Sequence, residues 1–149
     1  MAQDAEASSL LELLHRASQR ADSVFARNVG DSGLTPRQFA VLHAVSRANG
    51  LSQTNIMAAT GIDRSSTADL VGRLVTSGCL QRRRTRRDGR VYAVRLTPRG
   101  WQMLAIGAPA AGAADHALLA LVPEVQRSAF VKALKLVAVP LDRYLASKL

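Results

Sequence analysis

The sequence predicts a mainly α-helical chain with a small β-hairpin wing, and three observations carry that expectation. Apolar side chains recur every three or four residues along most of the 149 residues, the spacing that lines one face of a helix. The pairs Thr35-Pro36 and Thr97-Pro98 each set a capping hydroxyl before a proline. That order suits a helix start, because proline lacks only an N–H that would be unpaired in the first turn. The period changes to two around Asp88-Gly89, where Tyr92, Val94 and Leu96 alternate with Val91, Ala93 and Arg95, as in two strands joined by a tight turn.

Taken in order, Leu10, Leu14, Ala17, Ala21 and Val24 or Phe25 form the stripe of a first helix that ends near Gly30. Thr35, Pro36 and Gln38 open a second, with Gln38 at the reciprocal position of a capping box. Phe39, Leu42, Ala44 and Val45 are expected to face inward, and Asn49-Gly50 to stop it. Ser52 can cap a short third helix, QTNIMAAT, that closes at Gly61. Asp63 then caps RSSTADLVGRLVTS, whose Thr67, Leu70, Val71 and Leu74 share one side before Gly78. After the two strands, Thr97-Pro98 begins a long alanine-rich helix, expected to bend around Gly107 and Pro109. Pro123-Glu124 starts the last helix, with a stripe of Phe130, Leu134, Val137, Leu141 and Leu145.

Composition narrows the class. The formal net charge is +9, which favours a polyanionic partner or an anionic membrane. From Gln81 to Gly100, arginine stands at 82, 83, 84, 86, 87, 90, 95 and 99, opposed only by Asp88. No apolar run reaches the ~18–20 residues of a membrane span; the stretch from Met103 to Ala114 contains Pro109 and two glycines and meets Asp115. The opening MAQDAEASS carries acids where a secretory leader needs positive charge, so a cytoplasmic protein without a membrane partner is expected. The single cysteine, Cys79, excludes a disulfide framework and multi-cysteine zinc sites; its place between Gly78 and Leu80 suits a small buried residue.

Two capped helices around Gly61, followed by a basic hairpin, make a winged helix-turn-helix. In that arrangement the second helix enters the major groove of DNA and the hairpin follows the backbone or a minor groove. Arginine serves both tasks, because its planar fork donates in pairs to phosphate or guanine and a narrow minor groove attracts a guanidinium.

In these segments the chain resembles the MarR family of bacterial transcriptional regulators. The resemblance runs through GLTPRQFAVL, LSQTNIMAATGIDRSSTADLVGRLVTSGCLQRRR and RDGRVYAVRLTPRG, in that order. It implies a single chain, 1–149, with a winged helix-turn-helix DNA-binding region over 33–100 and helical dimerisation regions over 8–30 and 101–149. It implies that Arg64, Ser65, Ser66, Ala68, Asp69 and Arg73 face the major groove, with Gln53, Arg86 and Arg87 also at the DNA, and that Arg90 reaches the minor groove, held by Asp88. Helical spacing agrees for the first six, since Thr67, Leu70, Val71 and Leu74 take the opposite side. Asp69 departs from the family pattern, and accepting from a cytosine amino group or orienting Arg73 would each account for it.

The apolar terminal stripes are more than a winged helix can cover, and pairing with a second copy would bury them. A two-fold homodimer sets its recognition helices about one DNA turn apart, roughly 34–36 Å, and so reads a palindromic operator in double-stranded DNA. The resemblance further implies a small-molecule effector, such as an aromatic acid or its thioester, between the first, second and fifth helices. His15, Phe39, His43 and Trp101 are the candidates there, each with a plain structural alternative: a satisfied histidine, or an aromatic core residue. The histidines lie on different helices without companions at metal-ligand spacing, so neither metal nor cofactor is expected. No Walker loop, nucleophile elbow or paired carboxylates suggest catalysis. The expected function is a ligand-released repressor; the alternative is an architectural DNA- or RNA-binding protein that uses its charge without sequence choice.

Overall fold

The computed structural model describes residues 8–85 and 92–138. Helix α1 (Leu10–Val29) is followed by a 3-10 turn (Gly30–Ser32), α2 (Pro36–Ser46), β1 (Leu51–Ser52), α3 (Gln53–Thr60), α4 (Arg64–Thr76), β2 (Leu80–Arg84), β3 (Tyr92–Leu96), α5 (Pro98–Leu119) and α6 (Glu124–Val137). The mainly α class with a small β element holds.

Side-chain caps place the helix starts where the sequence does. The Gln38 N–H donates to Thr35 Oγ1 at 3.1 Å while the Thr35 N–H donates to Gln38 Oε1 at 3.0 Å, so two otherwise orphaned donors are satisfied together. Helix α1 has the same reciprocal pair in Ser9 and Glu12. That role for Glu12 is invisible when it is read only as a break in an apolar run. Ser52, Asp63 and Thr97 cap α3, α4 and α5 in turn.

Three features differ from expectation. Helix α2 ends at Ser46, ahead of Asn49-Gly50, with its Arg47 cap N–H bonded to the carbonyls of Ala44 and Val45. Among the described residues the sheet has three strands in the order β1-β3-β2, all antiparallel. Leu51 and Ser52 pair with Val94 and Ala93, and a strand of two residues carries no periodicity of its own. Trp101 is not a core residue, for its side of α5 turns outward and leaves it 53% exposed; His15, His43 and His116 are exposed as well.

The core lies where α2, α3, α4 and the sheet converge. Val41, Leu42, Val45, Ile56 and Thr67 are its most deeply buried side chains, and each buried aliphatic contributes about 1.5–3 kcal/mol. Val41 belongs to this set beside Leu42 and Val45, although the spacing alone points Phe39, Leu42, Ala44 and Val45 inward. Thr67 answers its buried hydroxyl by donating to the Ile62 carbonyl at 3.3 Å. Helix α1 lies along α5, and α5 continues through Pro109. Gly107 has a packing role on α5, since a Cβ there would overlap the ring of Phe39 and the end of Leu34. Among the described residues no single helix is long and apolar enough to cross a membrane.

Candidate nucleic-acid interface

The turn between α3 and α4 is built from its own side chains. Gly61 closes α3 at φ 72°, a conformation that costs a side-chain-bearing residue, and returns its N–H to the Met57 carbonyl at 2.9 Å. Asp63 then accepts from the Ser66 N–H and the Ser65 hydroxyl, both at 2.9 Å. Hydrogen bonds from Ser66, and then from Ser65, hold the Asp63 carboxyl down at about 2, because each donor favours the charged form. Gln53 Nε2 reaches across the turn to the Arg64 carbonyl at 3.3 Å, tying the start of α3 to the start of α4.

Helix α4 therefore has two chemically distinct sides. Thr67, Val71 and Leu74 are buried, while Arg64, Ser65, Ala68, Asp69 and Arg73 are exposed and Ser66 is half-buried. Asp69 Oδ2 lies 3.0 Å from Arg73 Nε, one helical turn away. The structure thus gathers Gln53 with the α4 candidates in one patch, and it pairs two of them directly.

The hairpin adds charge beside that patch. Leu80 is buried and opposes Leu96, so strand alternation sets Arg82 and Arg84 on the same face as Leu80, with Gln81 and Arg83 on the other. Arg82 and Tyr92 line a groove of about 630 Å³ with Ser52, Gln53 and Thr54, floored by Ile56, Val71 and Val94. The Arg84 guanidinium sits 5.7 Å from the Tyr92 ring centroid, within cation–π range. Strand alternation from the apolar Leu80 sets Arg82 and Arg84 together, whereas Tyr92 joins them only through the pairing of β2 with β3. Arg86, Arg87, Asp88 and Arg90 lie outside the described residues.

Two further surfaces belong to the chain. Phe39 and His43 stack, with centroids 5.7 Å apart and planes 18° apart, and Phe25 tilts against Phe39 at 5.6 Å. Phe39 and His43 line a groove of about 620 Å³ between α2 and α3, with Arg47 and Asn55 also on its wall; His15 and Trp101 do not line it. A second groove, of about 640 Å³, runs between α1, the end of α5 and α6, and every lining residue but Ser18 is apolar. Leu10, 71% exposed, is among them. Cys79 is 3% exposed and receives a contact from the Ser77 hydroxyl at 3.5 Å, as a packed structural thiol does.

A helix-turn-helix with a polar outward second helix, followed by an arginine-rich antiparallel hairpin, defines a winged-helix DNA-binding protein. The MarR family model matches residues 32–91. A protein of Thauera aromatica described as a transcriptional regulator for the hcr operon is 31% identical over 123 residues, covering 82% of this chain and 74% of that protein. BpsR of Bordetella bronchiseptica, solved in a study of how 6-hydroxynicotinic acid regulates its DNA binding, superposes with a TM-score of 0.78 at 28% identity, over 88% of this chain and 99% of that one. The repressor CouR, bound to a 23-mer DNA duplex, gives a TM-score of 0.79 at 28% identity, over 93% and 99% of the two chains. This chain belongs to the MarR family of transcriptional regulators. It is a transcriptional regulator and not an enzyme.

Proposed function

We propose that this regulator is a repressor that binds a palindromic operator as a homodimer and is released by a small aromatic acid or its thioester. The observation that carries the reading is the outward polar face of α4, presented by a chain whose other end leaves an apolar groove open. In this reading residues 33–100 bind DNA, and 8–30 with 101–149 form the dimer. Gln53, Arg64, Ser65, Ser66, Ala68, Asp69 and Arg73 meet the major groove. Arg86 and Arg87 meet phosphates, and Arg90 enters the minor groove with Asp88 behind it. The protein works in the cytoplasm, where its operator is.

Effector response follows from differential affinity: a ligand shifts the regulator only if it prefers the dimer whose α4 helices are misplaced for adjacent grooves. The groove beside Phe39 and His43 supports such a site, since it joins stacked rings to the Arg47 guanidinium, groups suited to an aromatic ring and its carboxylate. BpsR supplies the precedent of an aromatic acid. His15 and Trp101, exposed and outside that groove, would join it only by way of a second copy. The architectural alternative is disfavoured by Asp69, a carboxylate that a merely charge-driven surface would not place on its leading helix.

Protection mapping on DNA upstream of the protein's own gene tests this reading. Two protected half-sites with centres about one turn apart, lost on adding an aromatic acid, are expected. Uniform protection without boundaries would favour the architectural alternative.

A further inference from the structure

Asp69 is the sole acid of α4, RSSTADLVGRLVT, and it stands on the face that the proposed reading turns toward a polyanion. Its cost to phosphate attraction calls for a compensating function, and helix stability does not supply one. The side chains of Arg73 and Asp69 are 71% and 61% exposed, and an exposed pair four residues apart adds little to a helix. The atom engaged is informative. Asp69 Oδ2 meets Nε of Arg73 at 3.0 Å, the guanidinium nitrogen next to the stem, with the two terminal amino groups lying beyond it. Those two form the fork that matches O6 and N7 of guanine in the major groove. A guanidinium braced at Nε surrenders part of its rotamer freedom before DNA arrives, so its fork is offered at a set angle.

We propose that Asp69 is a positioning residue that braces Arg73 for the reading of one guanine in each half-site, and so converts overall affinity into base discrimination. The proposal rests on the reading that α4 enters the major groove. Asp69 thereby lowers binding to every duplex through its charge, and restores binding only where a guanine meets the fork. Neither residue is part of the core, so substitution leaves the fold in place.

The test uses the full-length protein, a palindrome obtained by selection from random duplexes, a set of that palindrome with each base pair exchanged in turn, and an unrelated duplex of equal length. Wild type, Asp69→Ala, Asp69→Asn, Arg73→Ala and the double alanine variant are titrated at one salt concentration, and melting curves verify folding. Asp69→Ala is expected to bind the unrelated duplex more tightly, yet to lose about tenfold discrimination at a single G·C pair, the same pair lost in Arg73→Ala. The double variant should discriminate there no worse than either single one, and Asp69→Asn should fall between. Equal tightening on every duplex with discrimination intact would reduce Asp69 to a charge brake and overturn the proposal. Loss at a pair different from that of Arg73→Ala would overturn it too, since Asp69 would then read a base itself. Wild-type protein with no sequence preference would instead remove the underlying reading, and this inference with it.

Discussion

A methyl group on Gly100 would overlap the main-chain carbonyl oxygen of Cys79. That carbonyl already accepts from the Thr97 N–H at 3.1 Å, and the Thr97 hydroxyl donates to the neighbouring Gly78 carbonyl. The first turn of α5 is thus fastened to the junction between α4 and β2, which sets α4 and the β2–β3 pair relative to the long helix. Gly100→Ala must push one backbone against another, at a cost of roughly 1–3 kcal/mol. Gly112 lies on the same helix with open space at its Cβ position, so Gly112→Ala should be neutral or gain up to about 1 kcal/mol. Urea unfolding of the two variants at equal protein concentration makes the comparison, and equal stability would contradict the packing described.

The start of α4 should carry a pH signature. Folding lowers the Asp63 carboxyl from its ordinary 3.8 to about 2, so the unfolded chain binds its proton more readily than the folded one. The stabilisation is complete above the ordinary value and disappears as pH falls through the folded one. Asp63→Asn keeps an accepting oxygen but no charge. Urea midpoints of wild type and Asp63→Asn should therefore differ near neutral pH and converge as pH drops from about 4 to about 2; a gap independent of pH would show that the charge does not matter.

A charged residue in the apolar groove should separate assembly from folding. Leu14, Phe130 and Leu134 line it, outside the buried core. Leu134→Glu is expected to weaken self-association by at least tenfold, because a carboxylate in an apolar interface must be desolvated without a partner. Sedimentation at micromolar concentration reads the result, with circular dichroism to verify helix content. An unchanged sedimentation coefficient would place the second copy elsewhere.

The groove at His43 and Arg47 makes a prediction about release alone. Arg47→Ala should leave operator affinity without ligand within about twofold and raise the aromatic acid needed for release about tenfold or more, the loss of a charge-assisted bond. Anisotropy titrations with and without ligand separate the two effects. Equal loss in both would mean that Arg47 touches DNA.

Much of the fold was legible because its boundaries are set locally. Thr35, Ser52, Asp63 and Thr97 cap the helices they were expected to cap, and Gly61 closes α3, since hydroxyls, carboxylates and a left-handed glycine act within one turn of themselves. The α4 candidates follow from the family resemblance, and periodicity agrees with it, as the buried Thr67, Val71 and Leu74 leave Arg64, Ser65, Ala68, Asp69 and Arg73 exposed and Ser66 half-buried. What failed depends on tertiary partners. β1 exists because β3 is there to pair with it, and Trp101 is exposed because the side of α5 bearing Gly107, not its own, meets Phe39. The Asp69–Arg73 pair could be raised from spacing alone, but the choice of Nε as the contact atom needs coordinates.

The most direct test of the central claim is the ratio of affinities for the selected palindrome and for a scrambled duplex of equal length and composition, measured at one salt concentration. A dimer that reads bases through α4 should prefer the palindrome by about a thousandfold or more, and Arg73→Ala should collapse much of that ratio. Equal affinity for the two duplexes, falling in parallel as salt rises, would mean that the chain binds by charge alone and reads no operator.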